Sequence, residues 1–480
     1  MSASHFDFDL VVIGSGPAGK RAAIQGAKLE KHVAIVERTT VLGGVSVNLG
    51  TIPSKTLREA ALELSGYRSR EFYGASYTVK QKITIQDLLV RTDKVIRHEV
   101  DVTRHQLTRN GVEVISATAT FSGPDTLRLD YVDGSTSRTI RAQSIVIACG
   151  TETTRDSHIP FDGTHIFTSD DVLKLDRLPR TLAVVGAGVI GCEYASIFAA
   201  LGVRVTLIDK RNRLLPFIDE EIADMLCYHL RENRATLRLG ESVRNLEITE
   251  SETGPRVRLH MDSGKTITAE KALYSVGRTG ATATLKLENA GLRADDRGRL
   301  VVDEQFRTSV RHIYAVGDVI GFPSLASTSM EQGRLSVCHH FGIKAHSVQA
   351  LFPYGIYSVP EISMVGRTER ELTDEGVAYE IGKAHYREIA RGQIIGDVTG
   401  LLKLIFHSET RKLLGVHIIG DGASELIHIG QAVLSFEGTI DYFINTVFNY
   451  PTLAECYKVA AFDGINRLGI VEHETAPMTV

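Results

Sequence analysis

Short apolar runs and glycine-rich turns alternate in the same order in two parts of the chain. The first part has apolar runs over residues 10–13 and 33–36, separated by a glycine-rich turn and an alanine-rich helical stretch. The second part repeats this order, with apolar runs over residues 182–185 and 203–208. Apolar runs of this length, bounded by glycine, are typical of strands buried in a parallel sheet. Each part therefore predicts a strand–helix–strand unit.

Each turn carries three glycines at the same spacing, and an acidic residue, Glu37 or Asp209, ends the second strand of each unit. In such a turn the first glycine permits a tight bend and the second lets the backbone approach a pyrophosphate. The third lets helix and strand pack closely. Two copies in this context favour two dinucleotide-binding sites over two units whose glycines serve turns alone. The glycines are Gly14, Gly16 and Gly19 in the first unit and Gly186, Gly188 and Gly191 in the second.

The pattern changes from about residue 347. Apolar runs over residues 401–407 and 413–420 predict an antiparallel hairpin, and helical patterns follow over residues 423–436 and 452–468. The chain as a whole predicts an α/β fold with two Rossmann-like dinucleotide-binding domains and a C-terminal α+β domain. The expected boundaries are 1–150 and 279–346 for the two parts of the first domain, 151–278 for the second domain and 347–480 for the third.

The composition excludes several classes of function. The 480 residues carry a formal net charge of −4, which gives no reason to expect binding to nucleic acid or to an anionic membrane. The longest apolar run, over residues 182–190, contains two glycines and is too short to span a bilayer. Because Asp7 and Asp9 precede the first apolar run, we expect no secretory signal and a cytoplasmic location.

Cysteine and histidine give no pattern typical of a metal site. Five cysteines in scattered positions predict reduced, mostly buried thiols, with Cys192 in the core. Three histidines of the C-terminal part, His407, His417 and His428, have no companion cysteine or acidic spacing, and we interpret them as structural. We therefore expect no metal.

The two glycine turns, the segment from Gly43 to Lys55, the Gly317-Asp318 pair and the segment from Val359 to Glu361 resemble the pyridine nucleotide–disulfide oxidoreductase family. That family includes lipoamide dehydrogenase and glutathione reductase, and the resemblance covers nearly the whole chain. It implies that the first glycine turn holds FAD and that the second binds NAD(H) or NADP(H). It also implies that the C-terminal domain forms the interface of a homodimer or larger homo-oligomer.

The resemblance also implies a set of site residues. Asp318 is expected on the ribitol side of FAD, and Lys55 and Glu193 match the ion pair that the family holds beside the flavin. The residues expected to bind the cofactors are Gly14, Gly16, Gly19, Glu37, Arg38, Gly43, Gly44, Val45, Ser46, Thr51, Gly150, Gly317, Asp318, Gly186, Gly188, Gly191, Asp209, Lys210, Arg211, Arg213 and Gly277.

Two departures from the family pattern bear on the activity. The family carries two cysteines beside the flavin, where this chain has Ser46 and Thr51, and a hydroxyl forms neither a disulfide nor a thiolate. The family also carries a histidine before a proline near the C-terminus, where this chain has Tyr450. A phenol is a poor base near pH 7. Glu455 remains at the position that would orient the histidine.

The family resemblance then leaves two nucleotide sites and a flavin. The segment from Gly50 to Lys55, together with Tyr450-Pro451, resembles the subgroup of the family that transfers hydride from NADPH to NAD⁺. The resemblance implies that both nucleotides use one site in turn, with ping-pong kinetics. Lys55 would stabilise negative charge on the reduced flavin, and the alternative is a structural salt bridge with Glu193. Val189, at a position that is tyrosine in some relatives, would leave the flavin open. Two other functions stay open, namely reduction of a quinone or oxygen, and a non-enzymatic FAD/NAD-binding sensor.

The residues after the second fingerprint strand suit two nucleotides. Asp209 is expected to accept hydrogen bonds from the ribose hydroxyls of NAD(H) and to repel the 2′-phosphate of NADP(H). Lys210, Arg211 and Arg213 follow at once and would offset that repulsion by pairing with the phosphate. The alternative is that these three cations are only a solvated cluster.

Overall fold

The computed structural model describes residues 6–252, 254–345 and 351–469. It has three structural units, and the first, which contains the first glycine turn, is built on a parallel sheet. Strands lie in the order β3–β2–β1–β5–β16, and β4 pairs antiparallel with both β3 and β5. The strands are β1 (Phe8–Ile13), β2 (Val33–Glu37), β3 (Glu113–Gly123), β4 (Thr126–Tyr131), β5 (Arg138–Ile147) and β16 (Ile313–Ala315). The helices are α1 (Pro17–Lys28), α2 (Gly44–Asn48), α3 (Thr51–Leu64), α4 (Arg70–Tyr73), α5 (Ile85–Arg109) and α8 (Ala326–His340).

The second unit has a five-stranded parallel sheet in the order β10–β9–β8–β14–β7 and a separate antiparallel sheet of β11, β12 and β13. Its strands are β7 (Ile166–Phe167), β8 (Thr181–Val185), β9 (Arg204–Asp209), β10 (Thr236–Leu239), β11 (Val243–Thr249), β12 (Arg256–Met261), β13 (Thr266–Ala269) and β14 (Lys271–Tyr274). Its helices are α6 (Val189–Ala200) and α7 (Glu220–Glu232). Two short strands, β6 (Thr151–Thr153) and β15 (Arg278–Gly280), pair antiparallel where the chain enters and leaves this unit.

The third unit is a five-stranded antiparallel sheet in the order β17–β18–β21–β20–β19, with helices packed against it. The strands are β17 (Tyr354–Ile356), β18 (Ile362–Gly366), β19 (Tyr379–His385), β20 (Leu401–His407) and β21 (Leu413–Ile419). The helices are α9 (Glu369–Asp374), α10 (Ala390–Ile395), α11 (Ala423–Ser435), α12 (Asp441–Asn445) and α13 (Glu455–Arg467). The last helix begins three residues later than the sequence pattern predicts, because residues 452–454 form a turn.

These three units confirm the predicted fold class. The two fingerprint strands, β1 and β8, are apolar and buried along almost their whole length, because helices or loops cover both faces of a parallel sheet. The domain boundaries expected after residues 150 and 278 stay predictions. The boundary expected at 346 lies outside the described residues. Within the described ranges, no helix is both long and apolar enough to cross a membrane.

A buried ionic cluster joins the second unit to the third. Lys403, on β20, is fully buried, and its ammonium lies 2.9 Å from Asp219, 3.2 Å from Glu221 and in contact with Glu369. Asp219 caps the start of α7, so the cluster anchors that helix to the third unit. The three carboxylates are close enough together to hold a cation, and the lysine ammonium supplies the positive charge. A buried charge needs such partners, because removing it from water is costly.

Candidate active site

The two glycine turns have the same geometry, and each glycine has a distinct reason to lack a side chain. Gly14 and Gly186 have φ of 104° and 98°, a left-handed conformation that favours glycine. A Cβ on Gly19 would lie 1.8 Å from the carbonyl oxygen of Gly14, and the third glycine of the second turn makes the equivalent contact. The middle glycine differs, because a Cβ on Gly16 would meet nothing within 4 Å, and the same holds in the second turn. The middle position therefore keeps space open for a ligand at the start of each helix.

The acidic residue of each unit accepts a hydrogen bond from the residue after the first glycine. Glu37 accepts from the backbone N–H of Ser15 at 3.1 Å and from its hydroxyl at 2.6 Å. Asp209 accepts from the backbone N–H of Ala187 at 2.6 Å. Both carboxylates are buried, and these hydrogen bonds hold each acid against its turn. This contact between the acid and the turn was not expected from the sequence.

The first turn opens into a cleft whose residues fit FAD. The cleft is lined by the turn itself and by the ends of the neighbouring strands and helices, and a Cβ on Gly44 would lie 3.0 Å from the Cα of Gly16. The open space beside Gly16 and the N-terminus of α1 suit a pyrophosphate. The predicted residues that line this cleft are Gly14, Gly16, Glu37, Arg38, Gly44, Val45, Ser46, Thr51, Gly150, Gly317 and Asp318.

Asp318 places a half-buried carboxylate in the same cleft. Burial raises the pKa of the Asp318 carboxyl, although the charge of Arg278 acts in the opposite direction. The carboxylate accepts a long hydrogen bond, 3.5 Å, from the hydroxyl of Ser329. A carboxylate with so weak a partner has capacity to accept from a ligand hydroxyl, as the expected position beside the ribitol requires.

Lys55 and Glu193 form the expected ion pair, at a point where all three units meet. The Lys55 ammonium, on α3, donates to both carboxylate oxygens of Glu193, on α6, at 2.8 Å each. Tyr357, from the third unit, donates its backbone N–H to Glu193 at 2.9 Å, and its ring centroid lies 4.8 Å from the ammonium. Glu193 is buried, whereas Lys55 keeps 25% of its side chain exposed. The ammonium is therefore held firmly but remains accessible to a ligand.

The positions of the missing dithiol chemistry hold groups that cannot replace it. Ser46, on α2, and Thr51, the first residue of α3, both line the FAD cleft. Tyr450 is 74% exposed, and one carboxylate oxygen of Glu455 is buried with no hydrogen-bond partner among the described residues. Cys149 also lines the cleft, but burial raises the pKa of its thiol to about 12, which keeps it protonated.

The two arginines that follow β9 are paired with carboxylates of the chain. Arg211 forms a bidentate ion pair with Asp209, at 2.8 and 2.7 Å. Burial raises the pKa of Asp209, but hydrogen bonds from Arg211 and Ala187 outweigh this effect and lower it overall. Arg213 contacts Glu220, and Lys210 is exposed. Neither arginine pairing was expected from the sequence.

The remaining predicted residues take structural positions around these sites. Gly43, Gly150 and Gly277 all have positive φ, and the carbonyl of Gly277 accepts from the backbone of Thr154. Val189 is the first residue of α6. Cys192 is fully buried, as expected, and each of the three histidines hydrogen-bonds to a neighbouring group. The cofactor-binding and catalytic roles stay predictions.

Family models and solved structures both show similarity to known proteins over most of the chain. The family model described as pyridine nucleotide-disulphide oxidoreductase matches residues 8–333. The model of the dimerisation domain of that family matches residues 352–461. Among solved structures, LpdA from Mycobacterium tuberculosis superposes with a TM-score of 0.86 at 27% identity, covering 94% of this chain and 99% of that one. The HOCl-induced flavoprotein disulfide reductase RclA from Escherichia coli superposes with a TM-score of 0.84 at 27% identity, covering 95% of this chain and 99% of that one.

The chain is more similar in sequence to one subgroup. It is 52% identical over 462 residues to a soluble pyridine nucleotide transhydrogenase of Mycobacterium bovis, covering 96% of this chain and 98% of the relative. It is 45% identical to the protein of that name from Serratia proteamaculans, covering 97% of this chain and 99% of the relative. These similarities confirm the resemblance inferred from the sequence motifs. The chain belongs to the pyridine nucleotide-disulphide oxidoreductase family.

Proposed function

We propose that the protein is an FAD-dependent transhydrogenase that converts NADPH and NAD⁺ to NADP⁺ and NADH. The observation that carries this proposal is the pair of hydroxyl residues, Ser46 and Thr51, in the cleft where the family has its redox cysteines. Without a dithiol, the redox partners for which the fold provides sites are the two dinucleotides. The transhydrogenase relatives, identical at about half of all positions, support the same activity.

FAD, when bound, supplies the chemistry of accepting a hydride from one nicotinamide and giving it to another. The chain supplies position and charge. The open spaces at Gly16 and Gly188 would hold the pyrophosphates, and the carboxylates of Glu37 and Asp318 would accept from hydroxyls of the first dinucleotide. Lys55 places a positive charge where negative charge develops on reduction, and Glu193 keeps that ammonium in place.

One nucleotide site serves both substrates in turn under this proposal. Asp209 accepts the ribose hydroxyls of NAD(H) when Arg211 moves aside, and Arg211 and Arg213 pair with the 2′-phosphate of NADP(H). Both arginine side chains are about two-fifths or more exposed, which allows them to change partner. The oxidised nucleotide leaves before the second substrate enters, which gives ping-pong kinetics.

The assembly that suits this activity is a homodimer formed through the third unit. That unit matches the dimerisation domain of the family. It also exposes several large apolar side chains, including Phe436 at 87%, Val447 at 91% and Tyr450 at 74%. Phenylalanine and tyrosine are enriched at interfaces between chains, which supports this assembly.

The test uses the colour of the flavin. The purified protein should be yellow, lose its colour anaerobically with one equivalent of NADPH, and regain it on addition of NAD⁺ with formation of NADH. Recovery only with a quinone or with oxygen would support an acceptor of that class instead. Failure to lose colour with either reduced nucleotide would support a non-enzymatic sensor.

A further inference from the structure

Arg213 is paired with a carboxylate that belongs to neither dinucleotide fingerprint. Its guanidinium contacts Glu220, the first residue of α7. The same carboxylate oxygen lies 3.3 Å from the guanidinium of Arg370, on α9 of the third unit. Glu220 therefore stands between two arginines, one beside the nucleotide site and one in another unit.

We infer that Glu220 is a specificity-determining residue, which withholds Arg213 from the 2′-phosphate of NADP(H). The inference rests on the proposed function, whose nucleotide site it refines. With Asp209 holding Arg211 and Glu220 holding Arg213, both arginines must change partner when NADP(H) binds. NAD(H) has no 2′-phosphate and leaves Arg213 in place. The carboxylate thus lowers the affinity for NADP(H) only.

The exchange is feasible because the pair is exposed and shared. Arg213 and Glu220 each keep 46% of their side chains exposed, and exposed ion pairs are weak. When Arg213 turns to a phosphate, Arg370 remains beside Glu220, so the carboxylate keeps a cationic partner. A phosphate can then compete successfully for Arg213.

This arrangement predicts opposite effects for two substitutions. Glu220→Gln removes the competing charge and should tighten binding of a 2′-phosphate. Arg370→Gln leaves Glu220 with Arg213 alone and should weaken that binding. We expect a change of about two- to fivefold in each direction, in keeping with exposed ion pairs. Adding Arg213→Gln to Glu220→Gln should remove the gain.

The experiment measures binding of 2′,5′-ADP and of 5′-AMP to the FAD-loaded protein by titration calorimetry at low salt. The two probes differ only by the 2′-phosphate on the ribose, and neither requires turnover. The matched control is Glu232→Gln, because Glu232 ends the same helix, is 49% exposed and pairs with His229 instead. The affinity for 5′-AMP should stay constant in every variant, because Glu220 has no role toward a ribose without a 2′-phosphate.

Three results would overturn the inference. One is an equal gain in 2′,5′-ADP affinity for Glu220→Gln and Glu232→Gln, which would show that the gain comes only from the change in net charge. Another is a gain that survives the addition of Arg213→Gln, and a third is no gain at all. The proposed function is tested separately, by transfer from NADPH to thio-NAD⁺ in the wild type. A protein that lacks this transfer can still show the predicted pattern of 2′,5′-ADP binding.

Discussion

Arg211 occupies both carboxylate oxygens of Asp209, through its side-chain Nε at 2.8 Å and Nη2 at 2.7 Å. Asp209 also accepts the backbone N–H groups of Ala187 and Arg211, which brings it to four hydrogen bonds. A carboxylate has about four acceptor sites, so a ribose hydroxyl can bind only if Arg211 releases one of them. The acid and the arginine therefore act as one unit toward the nucleotide.

Asp209→Asn should shift the nucleotide preference toward NADPH. The substitution removes the negative charge that opposes a 2′-phosphate and frees Arg211 to pair with it, while it weakens the contact with the ribose of NADH. We expect a change of about tenfold in the ratio of kcat/KM for NADPH over NADH. The measurement is this ratio for wild type and variant at low salt.

Replacing Arg211 and Arg213 together by glutamine should shift the same ratio in the other direction. The variant loses both guanidinium partners of the phosphate and should raise KM for NADPH while sparing NADH. If the ratio fails to move in opposite directions in the two variants, the assignment of this cluster to nucleotide specificity is wrong.

Substitution of the middle glycine in each turn should affect the FAD site and the nicotinamide-nucleotide site independently. Gly16→Ala and Gly188→Ala each add a Cβ that meets no protein atom within 4 Å, so both variants should fold. Gly16→Ala should lower the FAD content, and Gly188→Ala should keep FAD but weaken NADH and NADPH by a similar factor, about tenfold. Flavin released on denaturation, at about one per chain in the wild type, measures the first effect. Equal flavin loss in both variants would contradict the assignment.

Lys55→Gln should distinguish a catalytic lysine from a structural one. Glutamine can still donate to the Glu193 carboxylate but carries no charge, so the buried acid keeps a partner. We expect anaerobic reduction of the flavin by NADPH to slow by about 100-fold with FAD content unchanged. The measurement is stopped-flow absorbance. An unaltered rate with a lower melting temperature would identify a salt bridge that serves only the fold.

The protein should not reduce lipoamide or glutathione disulfide. Ser46 and Thr51 cannot carry electrons to a disulfide, and Cys149 is held as a protonated thiol by burial. NADPH consumption should be the same with and without either disulfide. Disulfide-dependent turnover that follows the protein through every purification step would refute the prediction.

His417 should make stability fall in mildly acidic solution. Its Nε2 donates to the carbonyl of Arg367, and its Nδ1 is buried with no hydrogen-bond partner in the described part of the chain. Burial lowers its pKa below 6.5, although Asp219 acts in the opposite direction. As the pH falls, the unfolded chain therefore takes up a proton before the folded protein does. The contribution of neutral His417 to the free energy of unfolding is complete above pH 6.5 and is lost as the pH falls below it.

The corresponding measurement compares wild type with His417→Gln, a variant that has no group to titrate in this range. Between about pH 7 and pH 5 the wild type should lose more unfolding free energy than the variant, by up to about 1.4 kcal/mol per unit of pH. Chemical denaturation at several pH values gives these energies. Parallel pH profiles for the two proteins would show that His417 does not titrate on unfolding.

The sequence predicted what depends on local pattern. Each fingerprint is a run of short-range constraints, so the strands, the turns and the positions of Gly16 and Gly188 could be inferred from spacing alone. The Lys55–Glu193 pair came from the family resemblance, because 138 positions separate the two residues. The contact of Tyr357 with that pair and the pairing of Arg213 with Glu220 had no signal in the sequence, since both depend on how separate elements pack.

The burial of Lys403 limits how the protein can be dissected. A fragment made only of the second unit would keep Asp219 and Glu221 but lose the ammonium that neutralises them. The complementary fragment would keep the contact of the lysine with Glu369 but lose Asp219 and Glu221, at a position that is fully enclosed in the whole chain. Each piece would therefore lose part of the charge balance of the cluster. Expression of isolated fragments, or exchange of the second unit between relatives, should therefore succeed only when the carboxylates at the start of α7 and the lysine on β20 are transferred together.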